Sequence, residues 1–139
     1  MIKYISTRGG GSLQSFTDVL LAGLAPDGGL YVPDQWPQFD HGLLDHLHGL
    51  KYTEVAMQVL TPFIGDAISK EDLQRIIDET YCTEVFDHSS IAPLTQVGPN
   101  AWILELFHGP TLSFKAYAMQ LLGRRFDHVL EHTGERITI

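Results

Sequence analysis

One lysine of the sequence lies where an amine could act as a nucleophile. Lys115 falls in the first turn of a predicted amphipathic helix, directly after an apolar strand-like run and a turn formed by Gly109 and Pro110. A surface lysine is favoured in the last turn of a helix, where the helix dipole attracts a cation. An amine attacks an aldehyde only in its neutral form, and desolvation and a nearby positive potential both favour that form.

The residues around this lysine predict the first of those two effects. Its flanking positions are apolar: Phe114, Ala118, Met119 and Leu122. We therefore expect a partly desolvated amine at Lys115, which makes it a candidate Schiff-base lysine. The alternative is a lysine whose aliphatic stem crosses the apolar stripe while its charge stays in water, and the spacing alone leaves this alternative open.

The other groups that could do chemistry lack the partners that their chemistry needs. His128 and His132 are four residues apart, but a zinc site needs a third ligand, and the second position of this segment is not the glutamate of an HExxH motif. We therefore expect no metal. Cys82 has no paired base beside it and is interpreted as a passive buried thiol. The glycine run at 9–11 lacks the spacing of a phosphate loop, and the serines at 89–90 lack the glycines of a nucleophile elbow.

The composition limits the classes of function. The chain has 139 residues, with 17 acidic and 9 basic side chains and a formal net charge of -8. This charge argues against a nucleic-acid or anionic-membrane surface. Its single cysteine excludes an internal disulfide, and the sequence has neither a signal-peptide core nor an apolar run of about 20 residues. We expect a soluble, cytoplasmic globular protein.

Apolar periodicity predicts the elements of the N-terminal part of the chain. These elements are a strand at 2–6, a helix from Ser15, a strand at 30–32, and two longer helices over 52–63 and 70–81. We expect Thr53 to be the N-cap of the first long helix and Ser69 to lie at the entrance of the second. The apolar stripes of the two long helices can bury one another, so this part should be mainly helical.

The pattern changes in the C-terminal part. Two strands are predicted around a tight turn at 98–100, and the second strand, at 101–107, leads into the Lys115 helix. Gly134 should end this helix, and a further strand should begin at 136–139. Strand, helix and strand in this order predict a βαβ unit in a parallel sheet. A lone unit of this kind cannot cover its own sheet, so we expect a piece of a longer protein.

Three segments of the sequence resemble the threonine synthase family. The segment ELFHGPTLSFK at 105–115 is similar to the surroundings of the lysine that carries pyridoxal phosphate in that family. The segment GLAPDGGLYVP at 23–33 resembles an N-terminal motif of the family, and YISTRG at 4–9 resembles its beginning. The three segments occur in the family's order and extend over most of the chain.

This resemblance implies an α/β enzyme of fold type II. It implies a small, mainly helical N-terminal domain at 1–90, followed by the truncated start of the catalytic domain at 91–139. The family converts O-phospho-L-homoserine and water into L-threonine and phosphate. By this likeness Lys115 is the catalytic and cofactor-binding residue, which holds pyridoxal 5'-phosphate as a Schiff base and later moves protons, while the cofactor ring acts as an electron sink.

Two features qualify this resemblance. Ala116 stands where family members commonly carry an aspartate, and the loss of that carboxylate would affect rate or substrate preference without removing the Schiff-base lysine. In the family, the loop that holds the cofactor phosphate follows the strand that begins at 136–139. We therefore expect the 139-residue chain to be inactive by itself.

Two other functions remain open from the sequence. One is a binding or regulatory module that keeps the N-terminal domain but performs no chemistry. The other is a sister pyridoxal-phosphate lyase that acts on a different phospho or hydroxy amino acid. The sequence does not define the oligomeric state.

Overall fold

The computed structural model describes residues 2–134 and Arg136. Within them the chain is a mixture of helices and short strands. The elements are β1 (Tyr4–Ser6), α1 (Phe16–Ala22), β2 (Tyr31–Pro33), α2 (His41–Leu47), α3 (Tyr52–Ile64), a 3-10 turn (Gly65–Ala67), α4 (Lys70–Thr80), β3 (Leu94–Gly98), β4 (Ala101–Leu104) and α5 (Lys115–Thr133). The chain forms two compact units, one of residues up to Gly49 with Met57–Leu73, the other of Leu50–Ala56 with residues from Gln74 onwards.

The first unit is built around a two-stranded antiparallel sheet. Strands β1 and β2 pair with Tyr4 opposite Pro33 and Ser6 opposite Tyr31, and a bridge from Tyr4 to Gln14 extends the pairing. The Tyr4 hydroxyl donates to the carbonyl of Phe63. The buried apolar side chains of the first unit are Tyr4, Leu20, Ala25, Ile64, Ile68 and Leu73. The two short strands predicted from the sequence are therefore confirmed, with slightly shifted ends.

A single carboxylate joins the two N-terminal segments that the sequence singled out. Asp27 accepts hydrogen bonds from the Ser6 hydroxyl at 2.7 Å, the Gly29 N–H at 2.9 Å and the Gly10 N–H at 3.0 Å. The Arg8 guanidinium donates to the Asp27 carbonyl at 2.9 Å. The Ser6 hydroxyl, followed by the Gly29 N–H, holds the pKa of Asp27 below its usual range, because these bonds stabilise the ionised form.

Short polar side chains define where α1 and α4 begin. Ser15 and Asp18 form a capping box, in which the Ser15 hydroxyl accepts the Asp18 N–H and the Asp18 carboxylate accepts the Ser15 N–H at 3.0 Å. At α4 the Ser69 hydroxyl accepts the Asp72 N–H at 3.0 Å. Both helix starts were predicted from the sequence and are confirmed.

One helix of the first unit was not predicted. Helix α2 (His41–Leu47) begins after Asp40, whose carboxylate accepts the Leu43 N–H at 2.8 Å. None of its side chains is buried, so no clear apolar stripe marks it in the sequence. The sequence signal for the start of α2 was Asp40, a residue type favoured at the N-cap, with Leu43 three residues later.

The predicted N-cap of α3 is wrong. Thr53 lies inside the helix, which begins at Tyr52. The Lys51 carbonyl accepts the Val55 N–H at 3.0 Å, and the Glu54 carboxylate accepts the Lys51 N–H at 2.7 Å. The helix starts earlier than predicted because a glutamate in its first turn satisfies that donor.

The second unit contains a β-hairpin. Strands β3 and β4 are antiparallel, with Leu94 opposite Leu104 and a bulge between Gln96 and Gly98. The two strands around a tight turn are confirmed, although β4 ends at Leu104 and not at 107. The strand predicted at 136–139, and with it the βαβ unit, lies outside the described residues except for Arg136.

Helix α5 ends as the sequence predicted. Gly134 follows it in the left-handed conformation, with φ 70°, which glycine adopts without a Cβ clash, and its N–H donates to the Leu130 carbonyl at 2.9 Å. The buried apolar residues of the second unit are Ile76, Ile77, Tyr81, Phe86, Ile91, Ala116, Tyr117, Leu121 and Val129. No helix among residues 2–134 is both long and apolar enough to cross a membrane.

Candidate active site

Lys115 is the first residue of α5, as predicted. Its side chain is exposed, and its backbone N–H lies 3.4 Å from the Ser113 hydroxyl. Its amine has no ion-pair or hydrogen-bond partner within the described part of the chain. The amine is therefore accessible at the positive end of a 19-residue helix.

The apolar neighbours of Lys115 do not cover its amine. Phe114 is 63% exposed and Met119 is 59% exposed. The buried face of α5 begins instead with Ala116 and Tyr117. The desolvation predicted from the apolar flank is therefore wrong within the described residues, because that flank lies on the surface.

The loop before α5 folds back onto the first turn of the helix. A Cβ placed on Gly109 would lie 2.6 Å from the Cβ of Ala116 and 3.0 Å from a ring carbon of Phe86. Ala116, which is 2% exposed, and the fully buried Phe86 leave no space there for a side chain. Glycine at 109 thus permits the loop and the helix that carries Lys115 to touch.

This loop also contains a strained residue. Leu112 has φ 53°, in the left-handed region that costs a side chain with a Cβ roughly 1–2 kcal/mol. It is 76% exposed, so burial of its side chain does not offset that cost within the described residues. Its N–H donates to the Gly109 carbonyl at 2.9 Å, which closes a tight turn three residues before Lys115.

Three aromatic side chains, whose rings contact one another at tilted angles, support the first turn of α5. The ring of Phe86 lies 4.8 Å from that of Tyr117 and 5.7 Å from that of Tyr81, measured between centroids. The Tyr117 hydroxyl donates to the Ile91 carbonyl at 2.7 Å, and the Tyr81 hydroxyl donates to the Tyr117 carbonyl at 2.9 Å. Burial raises the pKa of both tyrosines, so both remain neutral donors.

A carboxylate and an imidazole form a hydrogen-bonded pair at the start of the same loop. Glu105 Oε2 lies 2.7 Å from His108 Nε2, and Glu105 Oε1 accepts the Thr95 hydroxyl at 2.7 Å. The hydrogen bond from Thr95, followed by that from His108, holds the pKa of Glu105 below its usual range. Sequence reasoning missed this pair. Its signal was a glutamate and a histidine three residues apart between a predicted strand and a Gly-Pro turn.

The other candidate groups do not combine into a second site. No group of three or more metal-binding side chains occurs within residues 2–134. The rings of His128 and His132 lie 4.3 Å apart between centroids, and His132 Nδ1 lies 2.8 Å from the His128 carbonyl. Cys82 is half-buried, with its sulfur 3.4 Å from the Glu79 carbonyl.

The chain is similar to known threonine synthases. Residues 3–81 match the family model described as the threonine synthase N terminus. Threonine synthase of Pseudomonas aeruginosa is 52% identical over 138 residues, covering 99% of this chain and 29% of that protein. Threonine synthase of Methylobacillus glycogenes is 43% identical over 145 residues, covering 99% of this chain and 30% of that protein.

A solved structure agrees with these relatives. The X-ray structure of PLP-bound threonine synthase from Brucella melitensis is 51% identical, with a TM-score of 0.94, and the match covers 98% of this chain and 29% of that one. The chain thus spans less than a third of the length of the relatives that it matches. Because the family model covers more than half of the chain, and because these relatives match nearly all of it, the chain belongs to the threonine synthase family.

Proposed function

We propose that Lys115 binds pyridoxal 5'-phosphate as a Schiff base in a threonine synthase of fold type II, of which this chain forms the N-terminal part. The enzyme would convert O-phospho-L-homoserine and water into L-threonine and phosphate. The observation that carries this proposal is an accessible amine at the first residue of α5, within a segment at 105–115 that resembles the cofactor-lysine segment of the family. The similarity to a PLP-bound threonine synthase supports the choice of cofactor.

The described residues fit the aldehyde end of this cofactor. A lysine that forms a Schiff base needs an amine that no carboxylate holds as an ammonium ion, and Lys115 has no ion-pair partner within the described part of the chain. We place the groups that hold the cofactor phosphate and its ring nitrogen in the longer protein, since the relatives are more than three times as long. The 139 residues alone would therefore bind the cofactor weakly and turn over no substrate.

The residues of this chain would contribute a base and its support. Pyridoxal phosphate, when bound, supplies an electron sink that stabilises negative charge at the carbon next to the substrate nitrogen. Lys115, once the substrate amine has replaced it, would remove the α-proton and then a β-proton of the substrate. The buried Ala116 and Tyr117 hold the turn from which the amine extends.

We also retain the domain division of 1–90 and 91–139, and a cytoplasmic location, as proposals. A boundary near residue 90 is supported by the segment at 81–93, which contains neither helix nor strand and lies between α4, ending at Thr80, and β3, beginning at Leu94. Limited proteolysis of the full-length protein tests it.

The reducing cytoplasm suits a chain whose only cysteine is a free thiol, and cell fractionation tests this location.

The Schiff-base assignment can be tested by trapping. The full-length protein is incubated with pyridoxal phosphate, reduced with borohydride and mapped by peptide mass spectrometry. We expect the pyridoxyl label on Lys115, with the exposed Lys51 and Lys70 as internal controls. Lys115→Arg keeps the positive charge but cannot form the imine, so it should lose the label. A label on Lys51 or Lys70 with Lys115 unmodified rejects the assignment.

One observation supports a second candidate function, a module that binds but does not catalyse. Ala116, in place of the aspartate common in the family, is buried against Gly109 and presents no carboxylate beside the lysine. The two functions differ in turnover. Loss of threonine formation in Lys115→Ala supports the enzyme, whereas absence of turnover in the unaltered full-length protein supports the module. Turnover of another phospho or hydroxy amino acid in preference to O-phospho-L-homoserine would indicate a sister lyase.

A further inference from the structure

Both ends of the loop that carries Lys115 contact the same residue, Glu105. At the start of the loop, His108 Nε2 lies 2.7 Å from the Glu105 carboxylate. At its end, the Tyr117 hydroxyl lies 3.4 Å from the Glu105 carbonyl, besides the shorter bond that it donates to Ile91. Lys115 therefore lies between His108, which is hydrogen-bonded to Glu105, and Tyr117, whose hydroxyl lies close to Glu105.

Glu105 is itself held by the segment that begins the hairpin. Its carboxylate accepts the hydroxyl of Thr95, a residue of β3, and its N–H donates to the Pro93 carbonyl at 3.0 Å. The His108 carbonyl in turn accepts the Asp87 N–H at 2.8 Å. Side-chain and backbone hydrogen bonds thus fix both Glu105 and His108, so the hydrogen-bonded pair can act as a rigid support for the loop.

The strain at Leu112 shows why such a support matters. A leucine with positive φ persists only where its surroundings hold the backbone in place. Within the described residues the exposed Leu112 side chain has little burial to hold it, so the ends of the loop must do so. The two ends are held by the hydrogen bond at His108 and by the contact of Gly109 with Ala116.

We propose that the hydrogen-bonded pair of Glu105 and His108 is a positioning pair for Lys115. It fixes the start of the loop and thereby the direction from which the Lys115 amine reaches an aldehyde. This inference rests on the proposed function of Lys115. The two side chains act through the backbone between His108 and Lys115, and neither is assigned contact with the reacting atoms.

The test compares labelling rates of lysines within one molecule. Full-length protein is mixed with pyridoxal phosphate and quenched with borohydride at timed intervals, and peptide mapping gives the rate at Lys115 relative to Lys51. Water partly screens this pair, so losing it should have a modest effect. We therefore expect the labelling ratio to fall about threefold in Glu105→Gln and in His108→Leu. His108→Gln should restore the ratio, since its amide can donate to Glu105 from a position close to that of Nε2.

A salt bridge elsewhere supplies the matched control. Arg124, which like Lys115 is a residue of α5, bonds Glu79 at 3.1 Å. Arg124→Gln removes this ion pair and should leave the labelling ratio unchanged. Melting temperatures of all variants establish that they are folded, so that a change in ratio is not a consequence of unfolding.

The outcomes separate the inference from the function on which it rests. A wild-type protein without preference for Lys115 overturns the proposed function and this inference together. If the wild type prefers Lys115 but both Glu105→Gln and His108→Leu keep the ratio, the positioning role is overturned and the proposed function stands. If Glu105→Gln does not fold, the two His108 variants decide: a lower ratio in His108→Leu than in His108→Gln supports the role, and equal ratios overturn it.

Discussion

Replacing Gly109 by alanine should destabilise the turn that carries Lys115. The added methyl would lie 2.6 Å from the Ala116 Cβ and 3.0 Å from Phe86 Cε1. Carbon atoms in ordinary contact are about 3.5–4.0 Å apart, so the nearer contact is roughly 1 Å too close. Gly109 does not have a positive φ, so the expected cost comes from the contact and not from the backbone conformation.

The size of the effect follows from how little the neighbours can move. Phe86 is fully buried and Ala116 is 2% exposed, so both must shift within a packed region. Overpacking of this kind costs about 1–3 kcal/mol of unfolding free energy. Ala116→Gly removes the nearer clash at a cost of about 0.5–1 kcal/mol for glycine in a helix. In the double variant the cost of Gly109→Ala should therefore fall by about 1 kcal/mol.

Urea denaturation followed by far-ultraviolet circular dichroism measures these differences. Gly123→Ala is the matched control, since the same substitution in the middle of α5 meets no atom within 4 Å. It should raise the unfolding free energy by about 0.5–1 kcal/mol, because alanine loses less backbone entropy than glycine. A Gly109→Ala protein as stable as the wild type, or additive free energies in the double variant, would refute this reasoning.

Three further predictions concern the N-terminal segments and the hairpin. Ser69→Ala removes the hydroxyl that caps α4 and should lower the unfolding free energy by about 1 kcal/mol, whereas an unchanged urea midpoint would contradict this. The lowered pKa of Asp27 means that its stabilisation is present above the ordinary aspartate pKa of 3.8 and is lost as the pH falls through the folded-state pKa. Melting curves should thus separate wild type from Asp27→Asn near neutral pH and converge in strong acid, and a constant separation would oppose this. The hairpin exposes Leu94, Trp102 and Leu104, so the isolated 139-residue chain should self-associate. Light scattering should show a mean mass that rises with protein concentration, and a stable monomer over a wide concentration range would contradict this.

Helices α4 and α5 were predictable because their burial follows a helical period. In α4 the fully buried residues include Leu73, Ile76 and Ile77, which lie three and four residues apart. Helix α2 was not predictable in this way, because it buries no side chain. The N-cap at Thr53 was wrong because a threonine at a plausible position does not compete with a glutamate that already satisfies the Lys51 N–H.

The candidate site was predictable in position but not in environment. The helix start at Lys115 follows from the apolar spacing and the preceding Gly-Pro turn. Its exposure does not, because the sequence lists apolar neighbours without showing that Phe114 and Met119 face outwards. The bond between Glu105 and His108 depends on how the chain turns after β4, and residue types alone do not encode that turn.

The carboxylate of Asp27 has a consequence for the order in which the N-terminal region folds. The Asp27 carboxylate accepts hydrogen bonds from Ser6, Gly10 and Gly29 and so connects the two ends of a loop that contains α1. A helix of seven residues is well below the roughly 12–15 residues that an isolated helix needs to be even marginally stable in water. Helix α1 should therefore form only when these hydrogen bonds to Asp27 form. In hydrogen exchange, the amides of α1, Gly10 and Gly29 should open together as one cooperative unit.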